Sequence, residues 1–175
     1  VRPGARAEVI PSLIRFGPHV WCSTAVHARL SEDLRQDLAD HLILFETAND
    51  SRSGLNLGRS GMGGFTAATL AIAPETNLRG KRVIDAGSGR GELALAAGKL
   101  GASSLVLIES ASFPRDQALK NLRHNGWEVG RNAWVLNLDL AKPDAVAQEV
   151  LALPGAERET VIFGNIGHGY STANN

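Results

Sequence analysis

The segment Val83-Ile84-Asp85-Ala86-Gly87-Ser88-Gly89-Arg90-Gly91 carries the strongest chemical signal in the chain. An apolar run ends in an acid and passes into glycines at alternate positions, which predicts a strand entering a tight turn with a helix beyond it. Glycines at 87, 89 and 91 let the backbone turn sharply and come close to a ligand, and the first turn of the helix leaves N–H groups that can point at it. This is the chemistry of a nucleotide-cofactor loop. Glu109 strengthens it: a carboxylate at the end of the next strand accepts hydrogen bonds from the two ribose hydroxyls of an adenosine cofactor. The dinucleotide pattern G-x-G-x-x-G would place a glycine at position 92, where this chain has Glu92. Plain structural alternatives stand beside each reading. The glycines would also serve a simple strand-to-helix turn, Asp85 would stabilise a helix start, and Glu109 would be an exposed strand-end carboxylate.

The elements that must position these residues follow from the apolar pattern. From Lys81 onward, short apolar strands alternate with helices: strand Arg82 to Ala86, helix Gly91 to Leu100, strand Ser104 to Glu109, a helix opened by Pro114 and ended at Asn125-Gly126, strand Ala133 to Leu138, helix Pro143 to Leu153, and strand Thr160 to Gly164. Four strands with three intervening helices require βαβ crossovers and a parallel, doubly wound α/β sheet. Before Lys81 the pattern differs. Ala7 to Phe16 and His19 to His27 read as a hairpin about Gly17-Pro18. Ser31 then caps an amphipathic helix with Leu34, Leu38, Leu42 and Phe45 on one face, ending near Glu46. Residues 50–64 are a glycine-rich loop, with Gly58 to Phe65 placed to act as a lid, and Phe65 to Ala73 reads as a short helix stopped by Pro74. A boundary near Leu78 divides an N-terminal unit, 1–78, from a cofactor-binding domain, 79–175.

Composition narrows the function classes. At 175 residues, with 43% hydrophobic and 21% charged residues, the chain is the size of a single globular domain. Lys+Arg and Asp+Glu balance at 18 each, and the balance holds in both halves, which argues against nucleic acid or an anionic membrane as a partner. Cys22 is the single cysteine, and no internal disulfide is available to it. That points to a reducing compartment. No apolar run has the length of a membrane span, and the start of the chain lacks a secretory apolar core, so a cytoplasmic location is expected. Histidines 19, 27, 41, 124 and 168 have no metal-ligand spacing with Cys22 or one another. Trp127 and Trp134 are expected in the core, and Trp21 in the N-terminal unit. The one methionine is Met62, so Val1 is not the residue at which synthesis began; a processed chain, or residues missing from either end, is expected.

Spaced G-x-G-x-G and preceded by an acid, the loop resembles motif I of the class I S-adenosylmethionine-dependent methyltransferases, and the similarity extends over roughly residues 80–170. The resemblance implies a Rossmann-like fold, S-adenosyl-L-methionine as cofactor and methyl transfer as the activity. It implies that Asp85 serves the ammonium of the methionine moiety, directly or through water, that Gly87, Gly89 and Gly91 cradle the cofactor, that Glu109 takes the ribose, and that Asp139 takes the adenine amino group. A carboxylate at the start of the loop suits a cationic tail and would repel a pyrophosphate. After the fourth strand the family places its catalytic or substrate loop, here Phe163-Gly164-Asn165-Ile166-Gly167-His168-Gly169-Tyr170. Methyltransferases acting on amine or amide nitrogen carry Asn-Pro-Pro-aromatic there. Asn165 and His168 hold the first and fourth places, and both prolines are absent. They are the candidate catalytic residues, Asn165 orienting a nitrogen on a protein or small molecule and His168 packing beside it. The family core has seven strands, so the rest of the sheet is expected beyond Asn175, from the N-terminal hairpin, or from a partner subunit or second copy. Two other readings stay open: a catalytically idle cofactor-binding subunit, and an NAD-dependent oxidoreductase, which Asp85 and Glu92 disfavour.

Overall fold

The computed structural model describes residues 14–16, 19–45 and 76–164. The glycine-rich segment, the helix expected at 65–73, Asn165 and His168 lie outside them.

The second part of the chain contains the strands and helices its sequence predicts, in the order β4 (Arg82–Ala86), α3 (Glu92–Lys99), β5 (Ser104–Ile108), α4 (Ser112–His124), β6 (Ala133–Leu136), α5 (Pro143–Ala152) and β7 (Thr160–Gly164). All four strands are parallel, in the order β6-β5-β4-β7. Side chains alternate across a strand, and the two faces separate cleanly. Val83, Leu105 and Leu107 pack with Leu93 to Ala97 of α3 and with Ala118 and Leu122 of α4. Ile84, Val106 and Ile108 pack with Val146 and Val150 of α5. Helices on both faces make the sheet doubly wound. The strand order reverses between β4 and β7, and in such sheets ligands bind at the carboxyl ends of the strands where the order reverses.

The first part holds a smaller sheet, β1 (Ile14–Phe16), β2 (His19–Ser23) and β3 (Leu42–Phe45), with the short helices α1 (Thr24–His27) and α2 (Glu32–Leu38) between β2 and β3. The expected hairpin is present: β1 and β2 are antiparallel, with Phe16 opposite His19. Two expectations need correction. The second hairpin strand stops at Ser23, and residues 24–27 form a helical turn. The helix capped by Ser31, whose Oγ accepts the Leu34 N–H at 3.3 Å, ends at Leu38, and Leu42 to Phe45 form a strand parallel to β2. Four consecutive apolar residues satisfy a helical stripe and a buried strand alike, so a distant residue decides. The Asn125 amide donates to the Leu44 carbonyl at 2.6 Å and accepts the Leu44 N–H at 2.9 Å, occupying the free edge of β3 much as a neighbouring strand would.

Trp21, Ile43 and Phe45 are buried in the same cluster as Val83, Leu93 and Leu105, with the Trp21 and Phe45 rings edge to face at 5.8 Å. The two sheets therefore share a core. Cys22 is fully buried, and burial pushes its thiol up to about 11 against the pull of a backbone hydrogen bond at His27, so it is a packing residue. No helix among the described residues is long and apolar enough to cross a membrane.

Packing at the far end of α3 yields a stability prediction. A Cβ on Gly98 would stand 2.5 Å from Trp127 Cζ2, so the half-buried indole lies directly on the helix backbone. Gly98→Ala should cost about 1–2 kcal/mol, because the overpacking penalty exceeds the gain in helix propensity. Urea unfolding checks this; an unchanged midpoint would show that Trp127 swings clear at no cost.

Candidate functional site

Beyond Ala86 the chain turns through Gly87, with φ of +75°, and the N–H groups of Gly87 and Ser88 both donate to the Ile108 carbonyl at 3.0 Å. The turn is thereby tied to the end of β5. Gly89 has φ of +54°, and a Cβ there would meet only Glu92 Oε2, at 3.8 Å, so its outer side is open. Gly91, at φ of +88°, is the N-cap of α3 and packs where a Cβ would come 3.0 Å from Leu107 Cδ2. Glycine at 91 is needed for conformation and for space together.

A glycine N-cap offers no side chain to the orphan N–H groups of its helix, and Asp85 does this from the strand below. Its Oδ2 accepts the Ala94 N–H at 3.1 Å. Asp85 is 1% exposed. Burial, first of all, pushes its carboxyl up to about 7; the charge of Glu92 adds to the rise, the Ala94 N–H opposes it, and the charge of Glu109 adds a smaller push. Glu92 is itself raised by burial, against its own backbone N–H and the charge of Arg90.

Glu109, just past β5, is buried, and both its oxygens are anchored. Oε2 accepts the Gly89 N–H at 2.9 Å and Oε1 the Ala111 N–H at 2.8 Å. The carboxylate is thus held rigidly against the glycine turn. Asp85, Gly87, Gly89, Gly91 and Glu109 are therefore brought together at one edge of the sheet. Asp139 lies past β6, exposed, its Oδ1 accepting the Ala141 N–H at 2.9 Å in the turn that leads to α5. Gly164, the last residue before Asn165, is the register partner of Ala86.

Several supports at this edge went unseen in the sequence. Asn121, fully buried on α4, donates to the Arg90 carbonyl at 3.1 Å and holds down the far side of the loop. Arg115 donates to the Ser110 carbonyl at 3.1 Å and to Asn137 Oδ1 at 2.8 Å, joining the exits of β5 and β6. Gln117 lies one turn before Asn121 on the same buried stripe of α4. Polar residues at 117 and 121, interleaved with apolar 118 and 122, were the available signal. Two buried atoms in this region, Ser88 Oγ and Gln117 Oε1, have no partner among the described residues. With the open side of Gly89 and the anchored carboxylate, they suit a polar ligand of the adenosine kind. No cluster of His, Cys, Asp and Glu able to hold a metal occurs among the described residues.

Comparison with known proteins agrees with this geometry. The family model for ribosomal protein L11 methyltransferase (PrmA) matches residues 53–166. The ribosomal protein L11 methylase of Lactobacillus delbrueckii subsp. bulgaricus is similar in structure, with 18% identity, a TM-score of 0.51, and coverage of 72% of this chain and 56% of its own. At that identity the likeness concerns the fold. A putative RNA methyltransferase from Pyrococcus horikoshii matches with 23% identity over 48% of this chain and 40% of its own, at a TM-score of 0.39. No curated protein sequence matches. The chain spans 56% of the length of the L11 methylase it resembles. The family match takes in every element from β4 to β7 and more than half of the sequence: the chain belongs to the ribosomal protein L11 methyltransferase (PrmA) family, and so to the class I, S-adenosylmethionine-dependent methyltransferases whose Rossmann-like sheet it has.

Proposed function

We propose that this protein transfers the methyl group of S-adenosylmethionine to a nitrogen atom of a protein acceptor, of the kind the name of its family denotes. The observation that carries the cofactor half of this reading is the Glu109 carboxylate, fixed by the N–H groups of Gly89 and Ala111 beside the open side of Gly89, where it takes the two ribose hydroxyls. Gly87, Gly89 and Gly91 give the methionine tail its close approach. Asp85 balances the cationic tail from beneath the loop; at 1% exposure its charge acts through an intervening water or the loop itself. Asp139 keeps a carboxylate oxygen beyond the one that accepts the Ala141 N–H, and takes the adenine amino group.

When bound, the cofactor supplies an electrophilic sulfonium methyl. The chain's part is to hold donor and acceptor in line and keep water out, and orientation of this kind contributes several kcal/mol without a covalent intermediate. Asn165 follows in sequence on Gly164, the register partner of Ala86, and an asparagine amide can both donate to and accept from a nitrogen nucleophile. We assign His168 the packing role beside the acceptor and the glycine-rich segment Gly58 to Phe65 the role of a lid over the cofactor. The N-terminal unit expected at 1–78 braces the cofactor-binding sheet through the core that Trp21, Ile43 and Phe45 share with it.

The test is a pair of measurements on one variant. Asn165→Ala should bind S-adenosylhomocysteine as the parent does in calorimetry and turn over at least about tenfold more slowly, a loss of about 1.4 kcal/mol in the transition state. Wild-type turnover would remove the nitrogen reading. Failure of the parent chain to bind S-adenosylhomocysteine at all would remove the cofactor reading.

A further inference from the structure

The edge of the sheet opposite the glycine loop holds a cavity of about 300 Å³, whose lining includes Ser104, Asn132, Trp134, Arg131, Arg158 and the acid Glu128. It lies where β5 and β6 begin and where the turn after α5 leads into β7, so it is separate from the site already described. Its floor contains an anomaly. Ser104 is 4% exposed, and its Oγ has no hydrogen-bond partner among the described residues. A hydroxyl so placed costs about 1–3 kcal/mol unless something enters to satisfy it.

The groups around it are donors. Asn132 spends its Oδ1 on the Glu128 N–H at 2.9 Å, so what its amide has left to offer a ligand is the NH₂ donor. Arg158 donates to Ser103 Oγ at 3.3 Å, which steadies the guanidinium without neutralising it, and no carboxylate pairs with it among the described residues. Arg131 is paired with Glu128 at 2.7 Å, so the rim keeps one net positive charge. Below the floor, Arg82 is the register partner of Ser104, with Nη2 on the Val150 carbonyl at 2.7 Å and Nε unpartnered; Glu157 is the acid that acts on it.

We propose that this cavity binds a phosphate group, free or as the monoester of a small molecule. Two guanidinium groups, an amide NH₂ and a hydroxyl supply several donors to one centre, which a tetrahedral oxyanion satisfies and a neutral ligand does not. The volume exceeds that of a bare phosphate and leaves room for an attached group beside the Trp134 ring. A polynucleotide is the poorer fit, because the chain has no net charge with which to hold a polyanion.

The probes are inorganic phosphate, phenyl phosphate and sulfate, added at constant ionic strength to the full chain and followed by amide chemical shifts. Both phosphate probes should move resonances near 103–104, 131–134 and 155–158. Arg158→Gln, an exposed change that spares the fold, should weaken binding about fivefold or more, and Ser104→Ala should weaken it while leaving the unliganded chain as stable or more so. Tighter binding of the monoester would identify an esterified ligand, and equal binding free phosphate; either supports the site. Two results would overturn it: no shifts at these residues with either phosphate probe, or binding indifferent to Arg158→Gln; sulfate, an equally tetrahedral dianion, should shift the same resonances.

Discussion

Glu109→Ala should weaken S-adenosylhomocysteine binding by about 10- to 150-fold, the equivalent of about 1.5–3 kcal/mol for hydrogen bonds to a charged acceptor. The effect has two sources that a second variant separates. One is the direct loss of the acceptor for the ribose hydroxyls. The other is the loop: without the carboxylate, the Gly89 and Ala111 N–H groups lose their partner, and the glycine turn is no longer held in its binding shape. Glu109→Gln keeps one carbonyl oxygen but turns an NH₂ toward one of those two donors. It should therefore bind nearly as poorly as the alanine variant while unfolding at a urea concentration closer to the parent's. Calorimetry at fixed pH checks the first statement. Parental affinity in Glu109→Ala would show that the carboxylate neither takes the ribose nor holds the turn in its binding shape.

The second large effect is a pH dependence centred on Asp85. Burial raises this carboxyl to about 7, so near neutrality it is only partly ionised, whereas a cationic methionine tail favours the ionised form. Affinity for S-adenosylhomocysteine should therefore rise about tenfold between about pH 6 and pH 8, as the ionised fraction grows from about a tenth to nine-tenths, with proton release on binding at the lower pH. Stability runs the other way. Between the ordinary carboxyl value of 3.8 and about 7, the folded chain holds a proton that the unfolded chain has released, so the contribution of this group falls as pH rises through that window and levels off above it. Asp85→Asn retains an acceptor for the Ala94 N–H, so α3 keeps its cap. It should flatten both profiles and fix the affinity near its low-pH value. Asp85→Ala loses the cap as well, and should cost about 1 kcal/mol more in stability. A pH profile of Asp85→Asn that still rises through 7 would assign the titration to another group.

Much of the cofactor edge is legible in the chain because its determinants are local. The apolar run into Asp85, the alternate glycines and an acid after the next apolar run each act within a few residues, and the βαβ order then brings Glu109 beside Gly89 by topology alone. The bounds of β4 and β7 follow from the same short-range logic, apolar residues between breakers, with β4 buried inside the parallel sheet and β7 partly exposed at its edge. Where the sequence by itself stops short, the deciding partner is distant. Leu42 to Phe45 suits helix and strand equally, and the Asn125 amide, from the end of α4, selects the strand by satisfying the Leu44 backbone. Asn121 carries no motif, and its function exists only because α4 packs over the loop and sets its amide against the Arg90 carbonyl. Asp85 reads in the sequence as a ligand for a cation, and it is the fold that gives it a prior duty at the start of α3 and a raised carboxyl. Strand spacing and turn chemistry determine which acids reach the edge; desolvation and hydrogen-bond partners, which arise only in the packed chain, determine what charge they carry there.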